Sequence, residues 1–68
     1  MSVRIHVNGK EEQVEAATLA ELLAARGIKR AKGVAVALNG AVVPQRAWAE
    51  APIGAGDRVE IVKPFGGG

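Results

Sequence analysis

Apolar and polar residues alternate from the start of the chain: Val3, Ile5 and Val7 fall on one side, Arg4 and His6 on the other. A period of two marks a half-buried strand, because successive side chains leave an extended backbone on opposite faces. Asn8-Gly9 follows, a pair that tolerates the positive φ angles of a tight hairpin turn, and Lys10 to Ala16 returns with Val14 and Ala16 on one side. The period then changes. Thr18 stands three residues before Glu21, the spacing of a capping box in which the hydroxyl and the carboxylate each accept from a free amide. Leu19, Leu22, Leu23 and Arg26 come next at helical spacing, with the leucines as the buried stripe. Gly27 suits the left-handed position past the last turn, and Ile28 can fold back onto the helix. The pattern predicts a helix over about residues 19–26, too short to persist without packing against a sheet.

Alternation returns at Val34, Val36 and Leu38, interleaved with the small Ala35 and Ala37. Asn39-Gly40 predicts a second hairpin turn, and Ala41-Val42-Val43 is its return strand, limited by Pro44, which has no N–H for a ladder. Gln45 to Glu50 reads as a short helical turn around Trp48, and Pro52, Gly54 and Gly56 interrupt the pattern. Asp57 to Lys63 predicts a last strand with Val59 and Ile61 facing inward. One short amphipathic helix and several short strands must share a core. The economical solution is a two-layer α+β domain, a mixed sheet of four to five strands packed on one helix. The first hairpin and the helical crossover place the N- and C-terminal strands side by side in parallel, the β-grasp or ubiquitin-like arrangement. Residues 1–65 then form the domain and residues 66–68 a flexible glycine tail.

Composition narrows the function. The chain has 68 residues, enough for one domain, and is 49% hydrophobic but only 3% aromatic, so Val, Ile, Leu and Ala must build the core. No cysteine is present, which leaves no disulfide framework and no thiolate metal site. A formal charge of +2 gives no case for nucleic acid binding. The basic cluster Lys29, Arg30 and Lys32 reads as a solvated loop, with a docking patch for an acidic partner as the alternative. No apolar stretch approaches the roughly 20 residues that span a bilayer, and the N-terminus runs directly into a strand pattern rather than a leader, so the expectation is a cytoplasmic protein without membrane contact.

Catalysis needs converging groups, and few are on offer. His6 has no evident orienting partner and reads as an exposed strand residue. Gly54-Ala55-Gly56 lacks the third glycine and the following helix of a dinucleotide fingerprint, and neither a phosphate loop nor a metal-ligand cluster occurs. The expectation is a protein with no catalytic residue, no metal and no bound cofactor of its own. What remains is a surface and a tail. The outer face of the sheet carries Arg4, His6, Ala35, Ala37, Arg58, Glu60 and Val62, and the small alanines beside Val62 suggest a flat, partly apolar docking face formed by Ala35, Ala37, Val62 and Phe65.

The tail is Gly66-Gly67-Gly68. Without Cβ atoms such a segment can thread a narrow channel and present its terminal carbonyl carbon with little hindrance. A carboxylate resists nucleophiles because its leaving group is poor. Transfer to the α-phosphate of ATP gives an acyl-adenylate with a good leaving group, and sulfur entering at that carbon gives a thiocarboxylate. Partner proteins would have to supply all of that catalysis.

The stretch VAVALNGAVVPQRAWAEAPIGAGDRVEIVKPFGGG resembles the sulfur carrier proteins of thiamine biosynthesis, the ThiS type. The resemblance rests on the turn Asn39-Gly40, the run Val42-Val43-Pro44, Trp48 four residues further on, the block Gly56 to Ile61 and the terminal Gly67-Gly68. It implies a β-grasp fold and a Gly68 carboxylate that an E1-like activating enzyme adenylates with ATP. It further implies conversion to a thiocarboxylate, with sulfur from a donor such as a cysteine desulfurase relay, and delivery to thiazole synthase. Gly67 and Gly68 are the functional residues on this reading. Gly66, where the family pattern varies, lengthens the arm, and Asp57 shapes a turn. Three alternatives stay open: a carrier of the same chemistry for molybdopterin, cysteine or a specialised metabolite; a ubiquitin-like modifier joined through Gly68 to lysines; and a plain interaction domain with an inert tail.

Overall fold

A computed structural model describes residues 2–28 and 33–63. The basic cluster Lys29, Arg30 and Lys32 lies outside the described residues, as do residues 64–68. The elements run β1 (Val3–Val7), β2 (Lys10–Val14), α1 (Leu19–Ala25), β3 (Ala35–Leu38), β4 (Ala41–Val42), a 3₁₀ segment (Gln45–Glu50) and β5 (Arg58–Val62). The strands make one five-stranded sheet in the order β2-β1-β5-β3-β4. β1 and β5 are parallel, and the β1–β2, β3–β4 and β3–β5 pairs are antiparallel. The expected mixed sheet is present, with the last strand between the first and the third.

Both hairpins turn as the sequence predicts. Asn8 and Gly9 have φ of 52° and 85°, Asn39 and Gly40 of 52° and 86°. Positive φ at both central positions is the type I′ turn, whose twist suits the flanking strands. The two-residue loops fix the registers Val7–Lys10 and Leu38–Ala41, and hence every pair that follows.

The helix is capped at both ends. Thr18 Oγ1 accepts from the Glu21 amide at 3.2 Å, but the Glu21 carboxylate accepts from the Ala17 amide at 2.7 Å, one residue further out than a capping box requires. A short antiparallel contact adjoins the helix entry: Thr18 bridges to Pro52, Leu19 N–H donates to Ala51 O and Ile53 N–H donates to Ala17 O. At the other end Gly27, with φ of 83°, donates to Ala24 O, and Ile28 donates to Leu23 O. This Schellman arrangement stops the helix at Ala25, with Arg26 as its cap, one residue short of the predicted span.

Ile5, Val7, Val36, Val59 and Ile61 from the sheet meet Leu19, Leu22 and Leu23 from α1 in one core. Trp48 and Ile53 close it. The indole N–H of Trp48 donates to Val43 O at 2.8 Å, so the largest side chain of the core buries no unpaired polar atom. Ile53, 8% exposed, falls in a stretch that the sequence pattern marks only as interrupted. Its burial comes from the strand-like contact with the helix entry, which local periodicity does not register. Leu22 is 2% exposed, so Leu22→Ala removes a core side chain from a small domain. The expected loss is about 3 kcal/mol, read from Trp48 fluorescence in a urea titration; a loss under about 1 kcal/mol would mean that α1 is not clamped on the sheet.

Candidate functional site

β5 is the described strand that residues 64–68 follow in sequence, and the way it is held is well defined. Residues 54–57 turn the chain into it. Gly56 has φ of 87°, as in the third position of a type II turn, and Asp57 N–H donates to Gly54 O at 3.1 Å. The Asp57 carboxylate closes the same turn, accepting from the Gly54 amide at 2.8 Å through Oδ2 and from the Asn39 carboxamide at 3.2 Å through Oδ1. Asp57 therefore shapes the turn, as its sequence position suggests.

Two asparagine side chains then hold β5 from opposite sides. Asn39 Oδ1 accepts from the Arg58 amide at 2.9 Å, while Asn39 N–H donates to Arg58 O at 2.7 Å. Asn8 N–H donates to Val59 O at 2.9 Å, Asn8 Oδ1 accepts from the Ile61 amide at 2.8 Å, and Asn8 Nδ2 donates to Ile61 O at 3.3 Å. Each turn residue that supplies the positive φ thus also extends a β-ladder. Sequence reading found these residues as turn formers and missed the second role, which depends on a strand more than fifteen residues away.

The outer face of the sheet carries three of the four expected docking residues, Ala35, Ala37 and Val62. Ala35 pairs across the ladder with Val62, and Ala37 with Glu60 on one side and Val42 on the other. Ala35 is exposed, Ala37 half-buried and Val62 63% exposed, so the structure brings these three together. Phe65, the fourth residue expected there, lies outside the described residues, and so do Gly66, Gly67 and Gly68. Val42, at 76% exposure, joins the apolar strip and was missed. The hairpin register contains the signal, since a two-residue Asn39-Gly40 loop places residue 42 opposite residue 37.

Charged residues border this strip. Arg4 and Glu11 form an exposed ion pair at 3.7 Å, a contact of little energetic weight. His6 is not the exposed residue expected: it is half-buried, and its Nδ1 is buried without a hydrogen-bond partner. The reason is its place on an interior strand, paired with Glu11 on one side and Arg58 on the other. On the helix side of the sheet a groove of about 530 Å³ runs between β2 and α1, lined by Val14, Leu22, Glu15 and Glu21 among others, and Arg26 pairs with Glu12 there at 2.9 Å. Among the described residues no three His, Asp or Glu side chains converge to hold a metal ion, and no helix is long and apolar enough to cross a membrane.

A five-stranded mixed sheet with β5 parallel to β1 and flanked by β3, packed on one helix, is the β-grasp class of protein. The chain belongs to the ThiS family, whose profile matches residues 3–68. The crystal structure of the thiamine biosynthesis protein ThiS from Geobacter metallireducens superposes with a TM-score of 0.79 at 36% identity, covering 97% of this chain and 100% of that one. The NMR solution structure of a thiamine biosynthesis protein from the same organism gives the same TM-score of 0.79 and 36% identity, over 97% of this chain and 88% of that one. No curated protein sequence matches the chain.

An apolar strip that lies outside the core adds little to folding. Val62→Lys is therefore expected to change unfolding free energy by no more than about 0.5 kcal/mol, measured by urea denaturation; a larger loss would make Val62 part of the folding core.

Proposed function

We propose that this chain is a sulfur carrier in thiamine biosynthesis, acted on by partner enzymes rather than catalytic itself. The observation that carries the reading is the ThiS family match, which runs from residue 3 through residue 68 and so includes the glycines that end the chain. The thiamine biosynthesis protein of Geobacter metallireducens, alike over nearly the whole chain, supports it.

The chemistry follows from the acyl end. An E1-like activating enzyme binds the domain and admits Gly66-Gly67-Gly68 to its site. The Gly68 carboxylate attacks the α-phosphate of ATP, pyrophosphate leaves, and the acyl-adenylate forms. A persulfide sulfur, supplied by a donor such as a cysteine desulfurase relay, attacks the acyl carbon and AMP leaves. Reductive cleavage of the resulting acyl disulfide by a thiol frees the thiocarboxylate. Thiazole synthase receives that sulfur. ATP belongs to the activating enzyme, and the carrier itself holds no cofactor. The work takes place in the cytoplasm, where these partners and ATP are available.

Ala35, Ala37, Val62 and Phe65, together with Val42, form the docking surface in this reading. Flat apolar area between charged margins suits a partner that must bind, discharge and release. Ala37→Arg places a charge in the middle of the strip and is expected to weaken binding to the activating enzyme about tenfold, with the domain still folded.

The direct test incubates the full chain with ATP, an adenylating partner enzyme and a sulfur source, followed by intact-mass spectrometry. The expected products carry AMP and then sulfur in place of oxygen at the C-terminus, and deleting Gly67 and Gly68 abolishes both. A chain that acquires neither overturns the reading, and conjugates to lysines of other proteins would replace it with a modifier.

A further inference from the structure

Asn8 stands where β5 loses its neighbour on the β1 side. The two strands pair at His6–Arg58 and Val7–Val59, and the hairpin then carries the chain away. Ile61, two residues further along β5, would face that side with an N–H and a C=O and no strand to meet them. The Asn8 carboxamide takes the strand's place, accepting from Ile61 N–H at 2.8 Å and donating to Ile61 O at 3.3 Å. Both contacts are partly buried and join residues 53 apart in sequence. On the opposite side the ladder continues to the Ala35–Val62 pair. After Val62 come Lys63, Pro64, Phe65 and the three glycines.

The residue requirement is narrow. Position 8 needs a backbone at φ of 52°, which asparagine and glycine accept most readily. It also needs a side chain with a donor and an acceptor in one plane, which a carboxamide has and a carboxylate or a hydrogen atom does not. Asparagine alone meets both conditions without added reach.

We propose that Asn8 is a positioning residue for the acyl end: its carboxamide holds the β1 side of β5 at Ile61, so that the strand end is gripped on both sides and the chain leaves the sheet in one direction. The proposal rests on the sulfur-carrier reading for its consequence, though not for its geometry. Without the carboxamide, the end of β5 is held only on the β3 side, through the Val36–Ile61 and Ala35–Val62 pairs. A strand end gripped on one side must be ordered each time a partner takes the tail into its site, and ordering about one residue of backbone weakens capture by roughly tenfold. Once captured, the acyl carbon occupies the same place, so turnover is unchanged.

The experiment compares the ¹⁵N-labelled full chain with Asn8→Gly and Asn8→Asp. Asn8→Gly keeps the turn and removes the carboxamide. Asn8→Asp keeps the turn and one acceptor but sets an oxygen against Ile61 O. Amide exchange is read at Ile61, with Val59 as the internal reference, and ATP-dependent adenylation is measured with an adenylating partner enzyme. The expected result for Asn8→Gly is a loss of Ile61 protection of about tenfold with Val59 unchanged, and a roughly tenfold rise in KM with kcat within about twofold. Asn8→Asp raises KM in the same direction. Unchanged Ile61 protection in Asn8→Gly, or lost protection with unchanged KM, overturns the proposal. A wild-type chain that takes up no AMP overturns the carrier reading instead, and the Ile61 exchange then still decides whether Asn8 holds the strand end.

Discussion

The fold depends on the insertion of β5 between β1 and β3. The first hairpin and the second present β1 and β3 with inward-facing Ile5, Val7 and Val36, and β5 brings Val59 and Ile61 between them. The helix then covers the combined apolar face with Leu19, Leu22 and Leu23. A small domain buries little surface for its length, so each of these side chains carries a large share of its stability. Interior position also gives β5 hydrogen bonds along both edges, which leaves β2 and the two-residue β4 as the sheet's margins.

Such an arrangement separates two tasks along a single strand. Alternation sends Val59 and Ile61 into the core while Arg58, Glu60 and Val62 face outward, so one five-residue element both locks the domain and displays a surface. On this face Val62 pairs with Ala35 and Glu60 with Ala37, and Ala37 pairs in turn with Val42. In the proposed function the partner reads that surface while the tail following the same strand enters its site. In that reading docking and delivery share one strand.

Much of this was legible in the sequence because it follows from local periodicity. The alternation of Val3, Ile5 and Val7, the Asn-Gly pairs and the Thr18–Glu21 spacing each report on a few neighbouring residues, and each element formed within about two residues of its expected bounds. Features set by distant partners were not legible. Ile53 is buried by an antiparallel contact with the helix entry, His6 is half-buried through its place on an interior strand, and Glu21 bonds one residue further out than its spacing suggests. The asparagine clamps escaped for the same reason: Asn8 and Asn39 look like turn residues until β5 lies beside them. Val42 was recoverable from the hairpin register, which gives a face as well as a turn.

The central place of β5 has a consequence for synthesis. The residues that fill the middle of the sheet are made after every other described strand, so a nascent chain cannot complete its core while they are still within the ribosome. A chain cut short before residue 58 would leave β1 and β3 without the strand that joins them, with two unpaired edges and an uncovered helix face. Quality control can recognise such a product by its stickiness. Folding therefore waits on β5, and a copy that stops before it lacks the contacts that close the core.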